Sequence, residues 1–386
     1  MTAGPVTLDV VRAGELARTT PLRISTPDRT VVLDPTRADP VLDPGDAGGL
    51  ADAVDHALHG GDAVVAGAIP FRHGRAARGP GGTERARLLV GPIDDLAGPP
   101  GRPTPGPRSR WRTVGGPSVA EHARRVERLL AAMARTGVDK AVLARRAVLA
   151  VDEPVDVARV LARLAQRDPT ATVFAVPLHD GGVFLGASPE VLVARQGMLV
   201  TADPLAGSAP RHPDPVTDEA RGRRLARSSK DLREHRYVVD DIVERLRPWC
   251  ATIAVDGPHL VQTERMWHLG TSVRGHLRDS STGAARLALA LHPTPAVAGT
   301  PTAAAISLLA EVEGDVRGYY AGAVGWQDAC GDGRWAVAIR CARIAADGRS
   351  AELHAGGGIV AGSDPAAEAA ETEAKMRTML DALEVD

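Results

Sequence analysis

Three charged residues near the C terminus, Glu368, Glu371 and Lys375, are spaced three and four positions apart, so a helix would place them on one face. Such residues can form a solvated helix face with an ion pair between positions i and i+4. Three consecutive glycines at 356–358 precede them. Such a run indicates either a close approach to the backbone or positive φ angles. The stretch therefore has the pattern of a binding site, while the solvated-surface interpretation stays open.

The glycine run also matches a dinucleotide-binding pattern, G-x-G-x-x-A, over residues 356–361. That pattern binds a dinucleotide only within a β-α-β unit, with an acidic residue about 20 positions further on. The sequence predicts no strand after the helix that follows the glycines. We therefore expect no dinucleotide site here.

The neighbouring elements must position the charged helix face. Short apolar segments at 334–344 and 350–355 predict two paired strands, after which the glycines are expected to form a turn. Asp364 suits the N-cap of the following helix, and Pro365 suits its first position. The other side of this helix carries an apolar stripe, formed by Met376, Met379, Leu380 and Leu383.

A second charged helix is predicted upstream. The longest helical pattern runs from about 217 to 248 and carries Asp231 and Glu234 three positions apart. A helix over 118–137, ending at a glycine, and a hairpin over 170–188 come before it. These elements predict a mixed α and β protein.

Composition limits the classes of protein that the chain can belong to. Hydrophobic residues make up 44% of the 386 residues, charged residues make up 24%, and the formal net charge is -2. These values are ordinary for a soluble globular protein and indicate no nucleic-acid or membrane partner. The Pro/Gly/Arg segments at 72–82 and 98–110 lack interleaved aromatic residues, so they predict surface loops rather than a nucleic-acid site.

Cysteine usage and the apolar runs bear on the compartment. The three cysteines, Cys250, Cys330 and Cys341, are odd in number and lack metal-ligand spacing. We therefore expect reduced thiols in a cytoplasmic protein. No apolar run has the length or the flanks of a signal peptide or a membrane span.

A series of short motifs follows one order along the chain, and their order and spacing resemble those of the chorismate-utilising enzymes. The resemblance is strongest to the isochorismate synthases of siderophore and menaquinone pathways. It covers residues 60–386, is dense from 137 onward and is weak over the first 50. The motifs are GAIPF (67–71), DKAVLAR with Lys140, SPE (188–190), PLAGS (204–208), SKDLREH (229–235), MWHLGT (266–271), HPTPAVAGTP (292–301), GAVGW (322–326), AIRCA (338–342), AGGGIV (355–360) and AEAAET (367–372).

The resemblance implies an α+β fold with a single chorismate-binding domain, like that of anthranilate synthase component I. Large antiparallel sheets would form a β-sandwich core flanked by helices. Residues 1–115 would be the N-terminal part of the same fold, with Pro/Gly-rich loops, and 116–386 the chorismate-binding catalytic region. It also implies a monomer that acts on one small molecule, chorismate.

The activity implied by the resemblance is the Mg²⁺-dependent isomerisation of chorismate to isochorismate, with water added at C2 and the C4 hydroxyl lost. Lys140 would be the general base that activates the water, and Glu190 the general acid that protonates the leaving hydroxyl. The base must be neutral and the acid protonated near neutral pH, which is the opposite of the usual state of both side chains.

The same resemblance implies where the metal and the substrate bind. Glu234 and Glu371 would be Mg²⁺ ligands, while Glu368 and Asp231 would hold metal-bound water; carboxylate and water oxygens suit this ion. The residues implied in substrate binding are Gly207, Ser208, His268, Ala296, Tyr320, Arg340, Gly356, Gly357, Gly358 and Lys375.

Several alternatives stay open at this stage. Arg340 could form an ion pair at a sheet edge, Tyr320 could be plain core, and His268 could be a satisfied buried histidine. Salicylate synthases carry out the same first step and then expel pyruvate, and they typically have threonine where this chain has Ala296. An inactive chorismate-binding homologue is a further alternative, although Lys140 and the proposed ligands are intact.

The chain also departs from the pattern of the family. Ser229 and Arg72 stand where glutamate and aspartate are usual, and AEAAET at 367–372 replaces a bulkier segment, which leaves the affinity for metal in question. Nothing in the sequence separates a menaquinone pathway from a siderophore pathway.

Overall fold

The computed structural model describes residues 15–73, 84–92, 100–102, 110–263, 265–314 and 317–385. Most of the predicted loops at 72–82 and 98–110 lies outside these ranges. The helices are α1 (Glu15–Thr19), α2 (Ala47–Ala57), α3 (Val119–Thr136), α4 (Val157–Arg167), α5 (Pro215–Arg227), α6 (Ser229–Leu246), α7 (Ala284–Leu291), α8 (Thr302–Glu313) and α9 (Pro365–Ala382).

The strands pair antiparallel throughout the described residues. They are β1 (Leu22–Ser25), β2 (Thr30–Leu33), β3 (Asp39–Pro40), β4 (Ala63–Ile69), β5 (Arg87–Pro92), β6 (Trp111–Gly115), β7 (Lys140–Val151), β8 (Thr172–Pro177), β9 (Val183–Ser188), β10 (Val191–Gln196), β11 (Leu199–Asp203), β12 (Leu205–Pro210), β13 (Cys250–Gln262), β14 (Met266–Leu277), β15 (Gly299–Thr300), β16 (Ala323–Asp328), β17 (Gly333–Val337), β18 (Cys341–Ile344) and β19 (Ser350–Val360).

Two large sheets are formed by the strands in the described ranges. The first sheet has nine strands, in the order β15-β7-β19-β18-β9-β8-β1-β2, with β6 also paired to β7. The second has ten strands, in the order β12-β14-β11-β10-β17-β16-β4-β5-β3, with β13 also paired to β14. The predicted α+β fold with large antiparallel sheets and flanking helices is therefore confirmed. N-terminal strands join both sheets, and the division of the chain at 115/116 stays a prediction.

The main hydrophobic core takes side chains from both sheets, among them Ile24, Phe174, Val64 and Trp335. Helices α3 and α8 pack on the outer face of β7 and β19, and α4 and α9 cover further strands of the first sheet. Alternation along the strands explains these contacts, because successive side chains point to opposite faces. On β7, Ala141 and Leu143 face the helices, whereas Lys140, Val142 and Ala144 point to the inner side.

Two of the crossovers, the places where the chain passes from one sheet to the other, lie next to each other. Residues 189–190 connect β9 of the first sheet to β10 of the second, and residues 338–340 connect β17 of the second to β18 of the first. The Val337 amide donates to the carbonyl of Glu190, and the Ala187 amide donates to the carbonyl of Arg340, both at 3.1 Å. Glu190 and Arg340 are therefore held side by side by backbone bonds.

Three local predictions were wrong. The segment 334–344 is two strands in different sheets, rather than one strand, because it contains a crossover. The helix expected over 217–248 is interrupted at Ser228, whose hydroxyl accepts the Asp231 amide at 3.2 Å and so begins α6. The glycines at 356–358 lie within β19, and none of them has a positive φ angle, so they form no turn.

The predicted starts of two helices, at Ser118 and at Asp364, are confirmed. Asp364 caps α9 by accepting the Ala367 amide at 2.7 Å, and Pro365 is its first residue. Ser118 and Glu121 form a capping box that begins α3. Within the described ranges, no helix combines the length and the apolar character that crossing a membrane requires.

Candidate active site

The three glycines of β19 lie where other side chains need the space that a Cβ atom would take. A Cβ at Gly358 would lie 2.1 Å from Oε1 of Glu234, and one at Gly356 would lie 2.9 Å from the hydroxyl oxygen of Tyr320. At Gly357 the nearest atom is Oε2 of Glu368, at 3.3 Å. Close approach, and not a positive φ angle, therefore explains the glycine run.

A cavity enclosing about 750 Å³ of atom-free space, including its open mouth, lies in front of these glycines. Both sheets contribute to its wall, and α6 and α9 complete it. The lining residues with polar or charged side chains are Glu190, Ser208, Lys230, Asp231, Glu234, His268, Tyr320, Arg340, His354, Glu371 and Lys375.

Lys140 is the first residue of β7, and its side chain is fully buried beside the cavity. Its Nζ atom lies 3.1 Å from Oε1 of Glu234, but the geometry does not make a hydrogen bond. Lys140 is not among the lining residues, but its Cε atom and Oε1 of Glu234 both lie next to Gly358, which does line the cavity.

Glu190 lines the cavity from the crossover, and only 5% of its surface is exposed. Burial raises the pKa of Glu190 to about 7, although a backbone hydrogen bond from Leu205 and the positive charges of Lys140, Lys375 and Arg340 oppose the shift. A substantial fraction of this carboxyl group is thus protonated at neutral pH. Such a group can donate a proton.

Glu371 projects from α9 into the cavity and is held by two donors. The Ser208 hydroxyl donates to its Oε1 at 2.7 Å, and Nζ of Lys375 lies 2.6 Å from the same oxygen. Burial opposes ionisation, but Lys375 and Ser208 outweigh it and lower the pKa of Glu371. Lys375 also donates to the Gly356 carbonyl at 2.9 Å, so it links α9 to the glycine strand.

Lys230 and Glu368 form a third lysine and carboxylate pair, with Nζ donating to Oε1 at 2.9 Å. Oε2 of Glu368 is buried and has no hydrogen-bond partner in the part of the chain that the structure describes. Burial raises the pKa of Glu368, as it does that of Asp231, which lies in the first turn of α6. Three glutamates around the glycine strand are thus each paired with a lysine.

Arg340 lies at the crossover with a φ angle of 52°, in the left-handed region that a residue with a side chain seldom adopts. Its Nη1 donates to the Lys375 carbonyl at 3.0 Å. No carboxylate of the described residues forms an ion pair with its guanidinium group. The sheet-edge ion pair that the sequence left open is therefore absent, and this cation lines the cavity instead.

Tyr320 and His268 are buried residues in the cavity wall. The Tyr320 ring stacks on His354 with centroids 4.9 Å apart and planes 14° from parallel. Burial lowers the pKa of His268 well below its usual range, so its ring is neutral. Nε2 of His268 is buried without a hydrogen-bond partner in the described ranges, so this histidine is not satisfied by the protein alone.

Both the sequence and the fold of this chain are similar to those of known proteins. The family model described as "Chorismate binding enzyme" matches residues 102–384. The chain belongs to the chorismate-binding enzyme family. It is 47% identical over 348 residues to a Mycobacterium tuberculosis protein provisionally named isochorismate synthase MenF, covering 86% of this chain and 90% of that one.

Two further relatives of this chorismate-binding enzyme carry the same activity in their names. Isochorismate synthase DhbC of Bacillus subtilis is 41% identical over 355 residues, or 88% of this chain and 86% of the relative. A Bacillus anthracis crystal structure, provisionally named a 2,3-dihydroxybenzoate-specific isochorismate synthase, superposes with a TM-score of 0.84 at 31% identity, covering 97% and 100% of the two chains. The predicted likeness in fold to anthranilate synthase component I is also confirmed.

The structure brings most of the predicted site residues of this chorismate-binding enzyme to one cavity. The predicted residues that line it are Glu190, Gly207, Ser208, Asp231, Glu234, His268, Ala296, Tyr320, Arg340, Gly356, Gly358, Glu371 and Lys375. Lys140, Gly357 and Glu368 lie directly behind this lining, in contact with Glu234 or with the glycine strand. Their roles in binding or catalysis stay predictions.

The donor chemistry for a divalent cation is present, but a ligand set is not assembled. Glu234, Glu371 and Asp231 line the cavity, and Oε2 of Glu368 is a buried acceptor without a partner among the described residues. In the described ranges no group of three or more His, Cys, Asp or Glu side chains converges as a metal site. Each of the three glutamates is turned towards a lysine instead.

Sequence analysis missed four residues that shape this site. Lys230 stood in a recognised motif, but its pairing with Glu368 depends on two helices meeting. The Ser188 hydroxyl accepts the Glu190 amide at 3.2 Å, a local bond that the Ser-Pro-Glu spacing could have indicated. Val142 and His354 lie on β7 and β19 and gave no signal of their own.

Proposed function

We propose that this protein is an isochorismate synthase, an isomerase that adds water at C2 of chorismate and removes the C4 hydroxyl. The observation that carries the proposal is the burial of Lys140 and Glu190 on different sheets around one cavity. Lys140 begins β7 of the first sheet, and Glu190 immediately precedes β10 of the second. A base and an acid on two sides of a ring suit water addition on one carbon and hydroxyl loss from another.

Each of the two residues moves one proton. Lys140 takes a proton from the attacking water, and Glu190 gives a proton to the departing hydroxyl, which leaves as water. Burial supports this role for Glu190, because a pKa of about 7 keeps part of the population protonated at neutral pH. Proton exchange with solvent after product release restores both groups, so the reaction is an isomerisation without net consumption of water.

The cations of the cavity wall would hold the two carboxylates of chorismate. Arg340 is free of carboxylate partners in the described residues. Lys375, whose carbonyl accepts a hydrogen bond from Arg340, lies on α9. Ser208 and the backbone of β19 add hydrogen-bonding groups beside them. Tyr320 presents an aromatic ring at the same wall, and His268 offers a nitrogen that has no hydrogen-bond partner among the described residues.

Mg²⁺ is the cofactor that we propose for this site. Glu234 and Glu371 would bind it, with Glu368 and Asp231 accepting hydrogen bonds from its water molecules, because oxygen ligands and retained water suit this ion. When bound there, Mg²⁺ would neutralise the ring carboxylate of chorismate and draw electron density from the ring. Glu234 would hold the cation with the carboxylate that lies beside Lys140, 3.1 Å from its Nζ atom.

The experiment is incubation of the purified protein with chorismate and Mg²⁺, with the products separated by chromatography. We expect isochorismate without stoichiometric pyruvate, and loss of the product in EDTA and in the Lys140→Ala variant. Salicylate with an equal amount of pyruvate would assign the protein to salicylate synthases. Chorismate binding without any product would make it an inactive homologue.

A cytoplasmic monomer is the setting that we propose for this activity. Three free cysteines in the described part of the chain agree with a reducing compartment. Chorismate and Mg²⁺ would both be present there. The relatives carry names from menaquinone and from 2,3-dihydroxybenzoate enzymes, so these names do not decide the pathway. Whether expression of this protein responds to iron limitation would decide between the two.

A further inference from the structure

A buried ion pair outside the cavity contacts its wall. Arg317 and Glu313 have side chains that are 3% and 2% exposed. Arg317 donates from Nε to Oε2 of Glu313 at 2.7 Å and from Nη2 to Oε1 at 2.6 Å, so the two groups meet as a fork. The Arg317 guanidinium also lies over the ring of Phe71, 4.3 Å from its centroid.

The same two side chains bond to backbone groups of β7. Nη2 of Arg317 donates to the Val142 carbonyl at 2.5 Å, and the Ala144 amide donates to Oε1 of Glu313 at 2.6 Å. Along this edge of β7, β15 pairs with residues 140–141 and β6 pairs with residues 148–151. The ion pair therefore occupies a gap in the described strand pairing and satisfies polar groups that a strand would otherwise bond.

Arg317 links this edge to two other parts of the cavity wall. Its Nη1 donates to the Val297 carbonyl at 2.7 Å, and its own carbonyl accepts the Tyr320 amide at 2.9 Å. Val142, Val297 and Tyr320 all line the cavity. One buried residue thus fixes the relative positions of the strand that begins at Lys140, the loop that carries Ala296, and Tyr320.

Stability alone is a weak explanation for such a pair. Taking two charges out of water costs much of what their attraction returns, and apolar residues of similar volume often stabilise a protein equally well. An apolar pair could not bond to the Val142 and Val297 carbonyls or to the Ala144 amide, and these bonds set the shape of the wall.

We propose that Arg317 and Glu313 are positioning residues for the reaction, holding the Lys140 strand and the 296–297 loop at the separation that the substrate ring requires. The inference rests on the proposed function. Neither residue lines the open cavity beside Arg340 or Lys375, so binding of the carboxylates does not depend on them directly. Their loss therefore affects the chemical step more than substrate affinity.

The test is the Arg317→Lys variant, which keeps the buried charge but cannot bond to Glu313 and two carbonyls in one plane. We expect kcat to fall by at least about tenfold while KM for chorismate changes by less than about threefold. Unchanged kcat in the folded variant overturns the proposal. If this variant does not fold, Glu313→Asp, which keeps the charge and withdraws the carboxylate by one methylene, is measured by the same criterion.

Arg195 provides a matched control. It is equally buried and donates to three backbone carbonyls, those of Gly197, Cys330 and Ser280, at 2.7–3.0 Å, but it lies outside the cavity wall. Arg195→Lys is expected to lose thermal stability and to retain the wild-type kcat.

Each remaining outcome also bears on the proposal or on the proposed function. An equal fall of kcat in Arg195→Lys, or failure of both Arg317→Lys and Glu313→Asp to fold, assigns the pair to stability and overturns the proposal. Wild-type protein that makes no isochorismate refutes the proposed function first, and the inference falls with it. Active wild-type protein with normal kcat in the folded variants refutes the inference alone.

Discussion

At the scale of single residues, the site is a set of opposite charges buried close together. Lys140, Lys375 and Lys230 each pair with a glutamate around the glycine strand. Burying charges is costly unless each has a partner, so these pairs let the carboxylates exist in the cavity of the folded chain. Glu190 is different, because it has three cations in its surroundings and forms no ion pair with any residue that the structure describes, and burial raises its pKa to about 7.

The Glu190→Gln substitution should raise stability at neutral pH and remove activity. A carboxyl with a folded-state pKa near 7 and an unfolded value of about 4.3 binds more protons in the folded state between these values. The folded protein therefore loses stability as pH rises through this window, and the loss is complete above pH 7. Glutamine does not titrate, so the variant escapes a penalty of up to ~4 kcal/mol.

Thermal unfolding of both proteins from pH 5 to pH 8 measures this difference. The advantage of the variant in Tm should be small at pH 5, increase towards pH 7 and stay constant beyond it. Turnover of the wild type should decline above pH 7 as Glu190 ionises, with the variant inactive throughout. A difference in Tm that is independent of pH would contradict the raised pKa.

At the scale of elements, the ends of strands and helices place the chemistry. Glu190 and Arg340 lie at two of the places where the chain passes between the sheets, and Asp231 and Lys230 lie in the first turn of α6. At the crossovers, backbone hydrogen bonds hold the point where one strand ends and the next begins. At α6, a capping bond sets where the helix begins. The position of α6 relative to the cavity therefore depends on its cap at Ser228.

The Ser228→Ala substitution tests that dependence. Losing an N-cap costs about 1 kcal/mol, which for a chain of this length lowers Tm by about 2 °C. We expect kcat/KM to fall severalfold as well, because the first turn of α6 carries Lys230 and Asp231 into the cavity. Steady-state kinetics below the onset of unfolding gives this value.

Asp156 offers the matched control for that cap. It is the N-cap of α4 and accepts the Arg159 amide at 3.1 Å, but α4 packs on the outer side of the first sheet. Asp156→Ala should lower Tm by a similar amount and leave kcat/KM unchanged. Equal kinetics in both variants would show that the cap at Ser228 contributes stability only.

The sequence predicted the elements better than their interruptions. Periodicity and caps identified the bounds of α3 and α9 because these signals are local. The break at Ser228 was missed since helical patterns continue on both sides of it. The crossover at 338–340 was missed since apolar residues suited to a strand continue on both sides of Arg340. The crossover is set by contacts between the two sheets, whereas the cap at Ser228 is a local bond spanning three residues.

The candidate site shows the same limit. The resemblance of short motifs indicated which residues would gather, and most of them line one cavity. Spacing indicated the ion pair of Glu371 and Lys375, which lie four positions apart. Nothing indicated the lysine partners of Glu234 and Glu368, or the bonds of Arg317 to the cavity wall. These contacts join residues far apart in the chain, and no local spacing encodes them.

At the scale of the whole molecule, binding of cation and substrate should be coupled. The side chains proposed to bind Mg²⁺ come from α6 and α9. The cations that would hold the substrate come from α9 and the crossover, so the ion and the substrate would contact some of the same elements. A ligand that binds only the folded state raises stability in proportion to the logarithm of its concentration. If the ring carboxylate of chorismate completes the coordination of the cation, each ligand strengthens binding of the other by the same factor.

Thermal shift measurements on the Glu190→Gln variant, which should bind without turnover, test this coupling. We expect Mg²⁺ alone and chorismate alone to raise Tm slightly, and the two together to raise it by more than the sum of the separate shifts. Glu371→Gln, placed in the same background, should remove the shift by Mg²⁺ and the excess shift with chorismate, because Glu371 is a proposed ligand that Ser208 and Lys375 hold at the cavity. Additive shifts would show that the two ligands bind independently, which would place the cation away from the substrate carboxylate.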